Sequence, residues 1–200
     1  MMKLHKFFPK LVAEYEEVCI DLIPSFIEEI ELLSKNIGTK KSSLLNVQSS
    51  HRSIQSIHRL PAFKPLSKKI LENAKDFMRQ YGYEEFLCDR LFITNMWFNI
   101  SYKGNFLFPH THGGALISGA YYLETDPSHY IMFHDMNKNI LEPPSFPNEL
   151  NQDTEMLPCT PGNLYLFSSD FHHSVLQQTA DARKIVISVN LSLEDGPKFR

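Results

Sequence analysis

From residue 91 onward the chain is written in short runs of aromatic and branched residues. They are LFITNMWFNISY (91–102), LISGAYYLE (116–124), HYIMF (129–133), NLYLF (163–167) and KIVISVNLSL (184–193). Such residues favour a pleated, half-buried surface, and Gly, Pro, Asn and Asp separate the runs as turns separate strands. The first third reads differently. Residues 10–22 place Leu11, Tyr15, Val18 and Leu22 at three- and four-residue spacing, which predicts a helix that Pro24 should interrupt. A second apolar-periodic run follows at 25–35, with Ser25 as its N-cap and Glu28 three residues on. A third helix is expected over about 65–79, with Leu66, Ile70, Leu71 and Ala74 on one face and Phe77 beside it. Residues 36–65 read as a loop. Helices first and strands afterwards suggest an α+β protein, mainly β.

The 200 residues suit one domain, helical over about 1–90 and strand-rich over about 91–195. With 20 Lys+Arg against 23 Asp+Glu and a net charge of -3, there is no basic footprint for nucleic acid. No apolar run is long enough to span a membrane, and the N-terminus lacks a signal-peptide pattern. Three scattered cysteines, Cys19, Cys88 and Cys159, read as reduced thiols, so a cytoplasmic location is expected. A homodimer is left open. The stretch 134–161 holds five of the 12 prolines and is a candidate lid.

Six of the nine histidines fall between His110 and His173. In PHTH (109–112), His110 and His112 are two apart, and on a strand such residues point to one face. A third candidate is His173 in FHH (171–173); His172 beside it must point the other way. HxH followed about 60 residues later by His suits a metal held by two neighbouring strands of a barrel. Imidazole nitrogen alone does not choose among iron, zinc, copper and nickel. Spacing alone also fits imidazoles that face solvent or serve structure. His129 and His134 flank a short strand and read as structural or exposed. Arg183 opens the last apolar strand, and a cation there wants a carboxylate partner, unless it reaches solvent. Ser118 shares parity with Ala120 and Tyr122. Trp97, Asn99 and Ser101 share a face of an earlier strand, where Asn99 needs a hydrogen-bonding partner.

Taken in order, these segments resemble the Fe(II)/2-oxoglutarate-dependent oxygenases. The resemblance is to the group with a WxN, HxH, SGxYY, LFxS and HxV layout. It rests on Trp97 to Asn99, His110 to His112, Ser118 to Tyr122, PGNLYLF at 161–167, Leu166 to Ser169, His173 to Val175, and Arg183. LLNVQSSHRS at 44–53 extends it, so that it covers roughly 44–193. The resemblance implies a double-stranded β-helix, or jelly roll, with the N-terminal helices packed outside. It implies Fe(II) and 2-oxoglutarate as cofactors, dioxygen as co-substrate and hydroxylation of a substrate the sequence does not identify. It implies His110, His112 and His173 as metal ligands, with His112 where most relatives carry Asp or Glu; Asp135 is the alternative if His112 turns away. It implies Arg183 as the cation holding the distal carboxylate of 2-oxoglutarate and Ser118 as a hydroxyl beside it. Asn99 and Tyr122 are implied as further polar groups of that pocket. Two other readings stand beside this one: a cupin-like metalloprotein using three histidines without a co-substrate, and a non-catalytic binding module on the same barrel.

Overall fold

The computed structural model describes residues 3, 10–37, 47–136, 145–146 and 151–194. Strand β1 (Val12–Tyr15) leads through a 3-10 turn (Ile20–Leu22) into helix α1 (Ile23–Ile37). Strand β2 (Gln48–Ser49), three further 3-10 turns and helix α2 (Lys64–Gln80) follow, then the short helix α3 (Glu85–Cys88). Eight strands complete the chain: β3 (Leu91–Ser101), β4 (Leu107–His110), β5 (Ile117–Glu124), β6 (Tyr130–His134), β7 (Thr154–Pro158), β8 (Leu164–Ser168), β9 (His172–Val175) and β10 (Lys184–Leu193). They form a six-stranded sheet of order β1-β8-β5-β10-β3-β2 and a four-stranded sheet of order β4-β9-β6-β7. All pairings within the sheets are antiparallel. Two antiparallel sheets face to face are the jelly roll that the sequence implied.

Period-two alternation assigns each strand's two faces. Along β10, Ile185, Ile187, Val189 and Leu191 join the larger core cluster, which also holds Phe26 and Ile30 of α1 and Leu66, Ile70, Ala74 and Phe77 of α2. The residues between them, Lys184, Val186, Ser188 and Asn190, face a cavity between the sheets. β3 divides likewise after a register shift opposite Asn190 and Leu191. Met96, Phe98 and Ile100 face the helices, while Trp97, Asn99 and Ser101 face the cavity. Close approach of β5 to β8 needs glycine at 119, because a Cβ there would lie 2.7 Å from Leu166 Cδ2 and 2.9 Å from the Tyr165 carbonyl oxygen.

The N-terminal part departs from expectation. Residues 10–22 are not a helix: Val12 to Tyr15 pair with Phe167 to Leu164 and cover the free edge of β8. Ala13 and Tyr15 pack on the larger core, and pairing with a waiting edge overrides the helical period. Glu17 and Cys19 then take left-handed φ values of 54° and 49°, and the Val18 N–H donates to the Gly162 carbonyl at 2.8 Å. Pro24 does not interrupt a helix either. It sits in the first turn of α1, where its missing N–H costs nothing, so Ser25 lies inside the helix and is not its cap. The α2 reading stands almost to the residue. Within 36–65, expected as loop, the described part carries β2 and three 3-10 turns. Of the lid stretch, His134 ends β6 and residues 154–158 form β7, the edge of the smaller sheet; residues 137–144 and 147–150 lie outside the described residues.

Candidate metal centre

β4 and β9 place His110 directly opposite His173. His112 lies just past the end of β4, where its N–H donates to the Ser169 carbonyl at 2.9 Å. The ring centroids are 4.3 Å apart for His110 and His173, 5.0 Å for His112 and His173, and 5.3 Å for His110 and His112. One nitrogen from each ring lies within 4.8 Å of the others.

The other nitrogens define the tautomers. His110 Nδ1 lies 2.8 Å from the Phe108 carbonyl oxygen, His173 Nδ1 lies 3.0 Å from that of Phe171, and His112 Nδ1 lies 2.7 Å from Asn190 Oδ1. Each partner can only accept, so each neutral ring carries its proton on Nδ1 and keeps a lone pair on Nε2. This is the outer support that metal-binding imidazoles use. Burial, and secondly the other imidazoles, push the His173 pKa down to about 3. Burial, opposed by the Asn190 bond, takes His112 to about 4. Three imidazole nitrogens brought this close suit a first-row transition metal.

The triad lines a cavity of about 340 Å³. Trp97 walls it, 5.6 Å from the His112 ring, and His51 packs edge-on against Trp97 at 4.7 Å. Among the described residues no carboxylate lines it, and Lys184 is the one lysine or arginine in the lining. Lys184 is 2% exposed, and burial lowers its pKa. An ammonium so placed gains most from an anion brought to it.

Not every residue expected in the pocket is there. Arg183 does not reach the cavity: it forks onto Glu124 at 2.6 Å and onto Glu31 of α1 at 2.8 Å. The expectation has to be corrected because successive strand residues face opposite sides, and Lys184 has the inward parity. Ser118 is fully buried but stands behind the wall, donating to Asn190 Oδ1 at 2.9 Å and sharing a 2.8 Å hydrogen bond with Ser169. It is thus bonded to the asparagine that holds His112 and is not among the residues lining the cavity. Asn99 and Tyr122 do line the cavity, and Asn99 Nδ2 donates to Ser188 Oγ at 3.0 Å. Asp135 is exposed outside the cavity. Sequence reasoning missed Lys184 and Asn190, although polar residues at the inward parity of an apolar strand were the available signal.

Residues 95–190 match the family described as "Putative 2OG-Fe(II) oxygenase". No curated protein matches the chain in sequence. Among solved structures, HygX from Streptomyces hygroscopicus with nickel and 2-oxoglutarate bound superposes with a TM-score of 0.65 at 11% identity, covering 94% of this chain and 85% of that one. A prolyl-4-hydroxylase from Pseudomonas putida gives 0.61 at 14% identity, covering 92% and 93%. The viral collagen prolyl hydroxylase of Paramecium Bursaria Chlorella virus-1, as its 2-oxoglutarate complex, gives 0.57 at 11%, covering 90% and 94%. Sequence match and fold agree: residues 95–190 are similar to the 2OG-Fe(II) oxygenases, and the chain shares the fold of these solved structures.

Proposed function

We propose that the chain is an Fe(II)- and 2-oxoglutarate-dependent dioxygenase that hydroxylates a neutral or anionic substrate. One observation carries the reading: three imidazoles, each fixed through Nδ1, converge in the lining of a cavity that also presents a buried lysine. The donor set fits ferrous iron, since imidazole is among its accepted ligands. His110, His112 and His173 would hold it. Bound there, iron supplies the redox chemistry by which dioxygen and a 2-oxo acid are consumed together.

The remaining work falls to the chain. Lys184 would take the distal carboxylate of 2-oxoglutarate, replacing lost hydration with a charge-assisted hydrogen bond. Tyr122 and Asn99 line the same cavity, and the Tyr122 phenol stays protonated because burial raises its pKa well above the usual value. Trp97, Phe167 and Val186 line an apolar stretch that excludes water. With three imidazoles in place of two and a carboxylate, the protein contributes no negative charge to the centre, and the 2-oxo acid brings it. The absence of a carboxylate from the described lining disfavours a cationic substrate.

The test is succinate release from 2-oxoglutarate by protein reconstituted with Fe(II) in air, with anaerobic binding of 2-oxoglutarate as a second readout. Metal uptake without 2-oxoglutarate binding would favour a three-histidine metalloprotein that uses no co-substrate. Failure to take up metal would leave a binding module.

A further inference from the structure

The 23 acidic residues are spread unevenly along the chain. Residues 32–71 contain eight lysines and arginines and no Asp or Glu, and residues 90–123 contain no Asp or Glu either. The net charge of -3 conceals this, because the carboxylates crowd into 14–31, 72–89 and 124–195. Four of the cations in the first stretch, Arg52, Arg59, Lys64 and Lys68, are exposed. Among the described residues none of the four has an ion-pair partner.

The fold brings both acid-free stretches to the cavity. His51, Thr111 and Gly113 are the exposed members of its lining and mark its opening. His51 lies just after β2 and Thr111 just after β4, a terminal strand of each sheet. From the opening the cations run outward. Arg52 closes the 3-10 turn that holds His51. The next turn, Ile57–Arg59, is tied to β3, where Met96 N–H donates to the Gln55 carbonyl at 2.8 Å. Burial, and secondly the charges of Arg59 and Lys64, lower the His58 pKa, so these two cations stand near one imidazole. Lys64 opens α2, and Lys68 lies one turn on along the same face.

Cations with no carboxylate among them hold a positive potential over the surface, which a polyanion relieves. Single-stranded nucleic acid is gripped by aromatic rings that stack on its bases as well as by charge. Within 32–71 the one Phe, Tyr or Trp is Phe63, and it is wholly buried. An extended polypeptide needs no such rings. It can pair with the free backbone N–H and C=O groups of a terminal strand, and both strands beside the opening are terminal.

We propose that the strip formed by Arg52, Arg59, Lys64 and Lys68 docks an acidic polypeptide segment and so carries one of its side chains to the cavity opening as the substrate. The docking stands on charge and topology; that the docked segment is a substrate rests on the oxygenase reading above.

The test uses metal-free protein without 2-oxoglutarate, so that it does not depend on turnover. The probe is a fluorescent peptide of alternating Glu and Ala, about twelve residues long, or roughly 40 Å when extended. Its anisotropy should report binding that weakens between about 50 mM and about 300 mM salt as the screening length shortens. Arg52→Glu with Arg59→Glu, and Lys64→Glu with Lys68→Glu, should each weaken it about tenfold or more. Lys10→Glu, a reversal outside the strip, should not. A peptide of alternating Lys and Ala should not bind. No binding of the acidic probe, unchanged affinity in both strip variants, or an equal loss in Lys10→Glu would overturn the proposal. Oligothymidylate bound as tightly as the acidic peptide would overturn it in favour of nucleic acid. A photoreactive residue at the centre of the probe should crosslink to 47–52 or 106–113; crosslinks confined to other parts of the chain would overturn delivery to the cavity. Failure of the probe to bind leaves the oxygenase reading standing. Binding without succinate release from 2-oxoglutarate overturns that reading, and with it the assignment of the docked segment as substrate.

Discussion

His112 Nδ1 and Asn190 Oδ1, 2.7 Å apart, join the candidate metal centre to β10, a central strand of the larger sheet. The same oxygen accepts from Ser118, so one amide fixes both the tautomer and the angle of the imidazole. Asn190→Ala should lower metal affinity about 10- to 100-fold, the usual consequence of losing such outer support. Ser118→Ala should lower it less, because Asn190 remains. Competition with a chromogenic chelator measures both, and an unchanged affinity in Asn190→Ala would remove Asn190 from the centre.

Lys184 and Arg183 are neighbours with opposite tasks. Lys184→Ala should weaken anaerobic 2-oxoglutarate binding by roughly 2–5 kcal/mol, as when one partner of a buried charge pair is truncated. Arg183→Ala should leave that affinity unchanged and lower the melting temperature modestly, since its pairs with Glu31 and Glu124 lie near the surface. The reverse ranking would restore Arg183 as the anchor and displace Lys184.

Acid should destabilise the metal-free protein. In the unfolded chain imidazoles titrate near 6.5, whereas in the folded chain His112 and His173 titrate at about 4 and about 3. Between these values the unfolded state holds more protons, so stability is present above about pH 6.5 and is lost as pH falls toward 3. Melting temperatures recorded from about pH 7 to about pH 5 should fall, and the slope should lessen in His173→Leu. Equal slopes in the two proteins would contradict the assignment.

Metal removal and replacement give a fourth expectation. His112→Asp restores two histidines and a carboxylate, the commoner facial set, and should retain Fe(II) binding. His112→Ala, leaving two ligands, should lose most of it. Metal analysis after dialysis distinguishes the outcomes, and equal retention in both variants would place His112 outside the ligand set.

Much of this was legible in the chain. The runs from residue 91 onward gave their strands, and HxH with a distant His named the three imidazoles that the fold draws together. Legibility failed where a decision depended on partners far away in sequence. Val12 to Tyr15 fit a helical period, and only the open edge of β8 selects the strand. Arg183 and Lys184 differ by one position, and which faces inward depends on where β10 begins.

β10 carries Ile185, Ile187, Val189 and Leu191 on the face packed toward the helices, and Lys184, Val186, Ser188 and Asn190 on the other. Alternation makes these two sets inseparable. Adding or deleting one residue between 184 and 190 would turn part of each set to the wrong side, exposing the lysine or the asparagine to oil and the isoleucines to the cavity. A drifting lineage of such chains can therefore change length only in its loops. Along this strand, evolution is confined to exchanging letters within a fixed frame.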